Sequence, residues 1–162
     1  MRVFYSVDLG VLALKWSSLG LRTCIDRGIL ASPNATGRSA IAFFGDSDFL
    51  SNMFSCPIEI AGEHFGSVEE GYQWAKCWLA EDDQARKDIQ SLGPTPKQCK
   101  RRAKGYNIRW GINPRLWDDA KYLVMVSLQM AKYRQNHSLA KLFDDTGNSW
   151  LLEASPYDAD WG

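Results

Sequence analysis

Asn113-Pro114 opens the segment that most restricts how this chain can fold. An N-cap residue followed by proline at the first helical position starts a helix. "RLWDDAKYLVMVSLQMAKYRQN" then places Leu116, Ala120, Leu123, Val124, Leu128 and Ala131 at core spacing. This pattern predicts one long helix from about Pro114 to Gln135, the spine of the fold. Trp117 falls in its first turn, where it can serve as a core tryptophan or as an aromatic plate.

The 162 residues suffice for one domain with a real core and are too few for two comfortable ones. With 45% hydrophobic and 23% charged residues, the composition is that of a globular chain. Lys+Arg and Asp+Glu balance at 19 each. That balance argues against clamping long nucleic acid by electrostatics, though it allows a small basic pocket. Seven tryptophans make stacking on a base or sugar a fair expectation for one or two. Cys24, Cys56, Cys77 and Cys99 are widely spaced, with no C-x-x-C, and the histidines are His64 and His137. No metal site is expected from that set. Asp8 breaks the early apolar run and no stretch reaches the length of a membrane span. A cytoplasmic protein with reduced thiols is expected, without a membrane partner.

Along the chain, "ASPNATGRS" is loop chemistry and sets a boundary near residue 40. "AIAFFG" reads as a short buried strand, and "CPIEIAGEHFGS" as a hairpin turning near Ala61-Gly62. A helix follows Glu81 through "DDQARKDIQS" and stops at Gly93-Pro94. "TPKQCKRRAKGYNIR" carries Lys97, Lys100, Arg101, Arg102 and Lys104, which suit a solvated basic face or a phosphate-contacting edge. "SLAKLF" is a short helix and "WLLEAS" a strand. The expected fold is α+β: a single, mostly helical domain with a small β-sheet from segments near 41–44, 57–65 and 150–154.

"GSVEEGYQWAK", Gly66 to Lys76, begins another helix. Ser67 and Glu70 form an S-x-x-E capping box. Val68, Tyr72, Ala75 and Leu79 recur at helical spacing, while Glu69, Gln73 and Lys76 fall on a second stripe. A solvated face would carry the same pattern. Glu70 has a capping task; Glu69 has no evident structural one. An acid, an amide and an ammonium in line suit a polar, phosphorylated ligand.

Seven stretches in order carry a resemblance: "FLSNMF", "SVEEGYQWAK", "GPTPKQCKRRA", "RLWDDAKYLVM", "AKYRQN", "LFDDTGNSWLLEAS" and "DADWG". Together they resemble the NADAR family, also called YbiA-like, over roughly residues 41–162. The family is known for cleaving C–N glycosidic bonds to ribose, in ribosylamino-pyrimidine phosphates of riboflavin biosynthesis or in ADP-ribose attached to a base. The resemblance therefore implies an N-glycosidase on a ribose-phosphate or ADP-ribosyl substrate. It implies no cofactor. A modified nucleic-acid base is one candidate substrate.

By the same resemblance the catalytic acid falls on Glu69, four positions before Gln73. The active-site tryptophan falls on Trp117, and the second acid on Asp158, three residues before the terminal Trp161-Gly162. Asn52, Gln73, Lys76 and Arg102 match polar family positions and are expected around ribose and phosphate. Two departures stand out. Glu70 occupies a position where the family usually has histidine. The chain stops at Gly162, where the family continues with a glycine-rich turn and a final helix. Residues 1–40, an N-terminal extension outside the resemblance, or a second subunit in a homo-oligomer, are expected to replace that packing. Cleaving a ribosyl C–N bond needs negative charge near the anomeric carbon, a proton for the leaving nitrogen and an oriented water. Two carboxylates such as Glu69 and Asp158 can divide that work. The alternative is a non-catalytic module that binds ADP-ribose or a related nucleotide.

Overall fold

The strands are short and pair in two separate ladders. Strand β1 (Ala40–Phe43) runs parallel to β4 (Trp150–Glu153), with Ala40 opposite Trp150 and Phe43 opposite Glu153. Strands β2 (Ile58–Ile60) and β3 (Glu63–Phe65) form an antiparallel hairpin with Ile58 opposite Phe65. Ala61 and Gly62 make its two-residue turn with φ of 54° and 83°. Two successive positive φ values are the signature of a type I′ turn, whose twist matches the flanking strands. The structure, a computed structural model, describes residues 40–92, 95–110 and 114–154. It comprises two units: Met1–Ser51 with Thr146–Gly162, and Asn52–Asp145.

Strands occur at all three expected places, but they do not join into one sheet. Within the Asn52–Asp145 unit the outer edge of β2 is covered by side chains. Gln135 closes that edge with its side-chain amide: Glu59 N donates to Gln135 Oε1 at 2.8 Å, and Gln135 Nε2 donates to Glu59 O at 2.7 Å. Asn136 Nδ2 adds a bond to Pro57 O at 3.0 Å. These bonds satisfy the outward-facing backbone groups of Glu59 and the carbonyl of Pro57.

Five helices are described, all in the Asn52–Asp145 unit: α1 (Val68–Leu79), α2 (Asp83–Ser91), α3 (Pro96–Trp110), α4 (Pro114–Gln135) and α5 (His137–Asp145). The bounds of α4 match the sequence expectation. Its buried face matches in part. Leu128 and Ala131 are buried as expected, but Leu116 and Leu123, expected beside them, are exposed, and Lys121, Met125 and Lys132 are buried as well. Apolar residues are spread around most of this helix, so periodicity alone does not select the side that packs. That choice is made by α1 and β2, against which α4 lies.

Helix α1 is the centre of the unit, packed against α2, α3 and α4. On one side Cys77, Ala85, Ile89, Cys99, Ala103 and Tyr106 form a cluster that joins α1, α2 and α3. On the other, α1 and α4 meet at Gly71. A Cβ there would overlap Leu128 Cδ2 and press on the Phe65 ring, so glycine permits the close crossing. Among the described residues no helix is long and apolar enough to cross a membrane. Gly93-Pro94, the expected stop for α2, lies outside the described residues.

Candidate active site

The start of α1 holds two adjacent buried acids in different settings. Ser67 caps the helix: its Oγ accepts from Glu70 N at 3.1 Å. The Glu70 side chain reaches back one residue further than a standard capping box, and its Oε2 accepts from Gly66 N at 2.6 Å. Burial pushes the Glu70 carboxyl above its ordinary value, while the Gly66 hydrogen bond opposes that shift.

Glu69 points along the neighbouring stripe. Its backbone N–H donates to Asn52 O at 3.0 Å, so the loop before the hairpin satisfies a first-turn donor. Its Oε1 accepts from Gln73 Nε2 at 2.7 Å. Both side chains are nearly enclosed, at 5% and 3% exposure. The expectation that Glu69 lacks a local partner is therefore corrected: one turn of helix places Gln73 within bonding distance. The carboxylate sits inside the protein rather than on a solvated face.

Two turns of α1 and the first turn of α4 then build an aromatic and cationic wall. Tyr72 and Trp117 meet edge to face, 4.9 Å between centroids at 67°. Lys76 Nζ lies 5.0 Å from the Tyr72 ring centre and 5.2 Å from that of Trp117. These are cation–π distances. Because Glu69, Tyr72, Gln73 and Lys76 are spaced at i, i+3, i+4 and i+7, one face of α1 carries an acid, a ring, an amide and an ammonium. Trp117 is half-buried, which leaves part of its ring for a ligand.

The structure brings Asn52 to this group as well. Gln129, on α4, donates from Nε2 to Asn52 Oδ1. Sequence reasoning missed Gln129, although a lone amide in the apolar run "VSLQMA" was a signal. It also missed Lys132, fully buried with Nζ 5.7 Å from the Phe54 ring and 5.4 Å from that of Tyr133.

Arg102 is not brought to the Glu69 group by any described contact. It is exposed on α3, where its charge acts on Asp88 of α2. The Asp88 carboxyl lies below its usual range chiefly because Tyr106 and then Gln84 hydrogen-bond to it, with Arg102 contributing. Lys97, Lys100, Arg101 and Lys104 are also exposed on α3. Asp158 lies outside the described residues.

Thiol chemistry does not fit this site. Cys56, Cys77 and Cys99 are buried. Burial raises all three, Cys77 to about 12 and Cys99 to about 11, with the charges of Glu70 and Glu69 adding to the Cys99 shift. They are protonated and poor nucleophiles at neutral pH. Among the described residues, no three His, Cys, Asp or Glu side chains gather as a metal site would.

Residues 40–162 match the profile of the NADAR domain. The chain belongs to the NADAR family. Relatives of this NADAR chain include an N-glycosidase of Acanthamoeba polyphaga mimivirus, 39% identical over 66 residues, which are 41% of this chain and 38% of that protein. A riboflavin biosynthesis protein of Vibrio vulnificus (strain YJ016) is 31% identical over 114 residues, 70% of this chain and 29% of that protein. The chain thus spans well under half the length of these curated relatives. The solution NMR structure of the E. coli protein YbiA superposes with a TM-score of 0.64 at 26% identity, over 80% of this chain and 75% of that one. The NADAR chain shares its mostly helical fold with small strand pairs.

Proposed function

We propose that this NADAR chain is an N-glycosidase that hydrolyses the bond between a ribosyl carbon and a nitrogen. Its substrate would be a ribosylamino-pyrimidine phosphate or an ADP-ribosyl group on a base. The observation that carries this reading is the enclosed Glu69 carboxylate, held by Gln73 on the helix face that also presents Tyr72 and Lys76 toward Trp117. Family membership and the N-glycosidase relative support it.

In such a reaction the C–N bond breaks toward an oxocarbenium-like transition state, its electron pair passing to the nitrogen, which gains a proton. A water oxygen then bonds to the anomeric carbon and loses a proton to a base. Glu69 suits the second task, or the stabilisation of positive charge on the sugar, because a carboxylate away from bulk water acts at low dielectric. Asp158, by family resemblance, is its partner. Trp117 would hold the base or sugar by stacking, and Lys76 would offer charge to a phosphate at the same wall. Arg102 and its basic neighbours on α3 would add to the positive field.

The test incubates purified chain with a ribosylamino-pyrimidine phosphate, with NAD and with an ADP-ribosyl guanosine, and follows release of the base. Turnover of one of them, lost in Glu69→Gln and in Asp158→Asn, supports the glycosidase. Trp117→Ala should weaken binding of that substrate by about 1–3 kcal/mol. Tight binding of ADP-ribose with no turnover of any substrate would replace the enzyme by a nucleotide-binding module.

A further inference from the structure

The side of α4 opposite its packed face is apolar and open. Leu116, Leu123 and Met130 recur every seven residues and are 56%, 72% and 39% exposed; Val126, 39% exposed, lies between them. A seven-residue apolar repeat is the spacing by which one helix lays a seam against another. Next to that seam, Ser127, Met130, Ala131 and Arg134 line an open groove of about 300 Å³, with Ile60 of β2 on its far wall. Those four α4 residues stand at i, i+3, i+4 and i+7. Four residues so spaced form the hole that accepts a side chain from a facing helix.

We propose that this seam joins two copies of the chain, with the two α4 helices antiparallel and Leu123 of each copy seated in the Ser127–Met130–Ala131–Arg134 hole of the other. Charge selects the direction. When Leu123 faces Met130 of the second copy, Asp119, one turn before Leu123, comes opposite Arg134, one turn after Met130. Asp119 and Arg134 are both exposed, and both fall on the seam side of the helix. A parallel pairing in register would set each charge against its own kind. The two-fold axis passes beside Val126 and Ser127, so each contact occurs twice, as an isologous interface requires. Antiparallel helices also oppose their dipoles. The seam is short, so association on the order of micromolar is expected.

Sedimentation velocity of the full chain from about 1 to about 200 µM measures this directly. A concentration-dependent dimer is expected. Leu123→Glu should weaken it roughly thirtyfold or more, the scale of a central interface anchor. Asp119→Arg and Arg134→Asp should each weaken it about two- to fivefold, and the doubly exchanged variant should return to within about twofold of the wild type. Circular dichroism checks that each variant is folded; should Leu123→Glu unfold, the charge exchange decides. A chain that stays monomeric throughout, a dimer indifferent to Leu123→Glu, or a double exchange that fails to restore association would each overturn the proposal.

Discussion

Gln73 Nε2 hydrogen-bonds Glu69 Oε1 at 2.7 Å, one helical turn away, with both side chains buried. Removing one hydrogen bond from a buried acceptor costs about 1–3 kcal/mol, and more when it is charged. Gln73→Leu is therefore expected to lower stability in urea by at least about 1 kcal/mol. It should also reduce kcat, because the carboxylate loses a bond that helps to orient it. An unfolding midpoint equal to the wild type's would show that this bond contributes nothing.

Glu70 has the opposite character. Burial raises its carboxyl above the ordinary 4.5, so the folded chain holds that proton more tightly than the unfolded one. Unfolding then releases a proton, and stability from this group is lost as pH rises from 4.5 through the folded value. Glu70→Gln retains an acceptor for Gly66 N–H and removes the titration. The variant should be at least as stable as the wild type at neutral pH, with a flatter stability curve above pH 4.5, and should keep most of its turnover. An unchanged slope in chemical denaturation across that range would assign the titration to another group.

Gly71 sets the distance between α1 and α4. Gly71→Ala gains about 1 kcal/mol of helix propensity but drives a methyl into Leu128 and Phe65, and overpacking costs typically about 1–3 kcal/mol. A net loss of up to about 2 kcal/mol is expected. Gly71→Ala combined with Leu128→Ala should cost less than the sum of the two single changes, since the methyl enters the space that Leu128 vacates. Strict additivity in thermal unfolding would remove the crossing as the cause.

Local chemistry was legible in the sequence. The Ser67 cap, the turn at Ala61-Gly62 and both ends of α4 follow from residues adjacent in the chain. The Glu69–Gln73 alignment was visible as a stripe, though not as an enclosed hydrogen bond. The Asn52–Gln129 bond joins residues 77 positions apart, and no local pattern announces such a contact. Lys132 was missed because buried ammonium groups are rare and the aromatic rings beside it, Phe54 and Tyr133, are brought there only by folding. Leu116 and Leu123 looked like core because most of α4 is apolar, and the positions of α1 and β2 decide which side is covered.

The basic face of α3 makes an electrostatic prediction. If its charges help to hold a phosphate, Arg102→Gln should weaken ligand binding more at low salt than at high salt, since exposed charges are screened within about 10 Å at 0.1 M. Isothermal titration with ADP-ribose at two ionic strengths measures this. Equal affinities for variant and wild type at both would leave the cluster a solvated face.

Single-turnover release of the base from a ribosyl substrate by Glu69→Gln and Glu70→Gln tests most directly which of the two adjacent acids acts. Glu69→Gln keeps the side chain's shape and removes its charge, so folding should be nearly unchanged while the rate falls by about two orders of magnitude or more, the usual scale for a general acid–base group. Glu70→Gln should stay close to the wild-type rate. An active Glu69→Gln beside an inactive Glu70→Gln would contradict the assignment and move the chemistry to the capping acid.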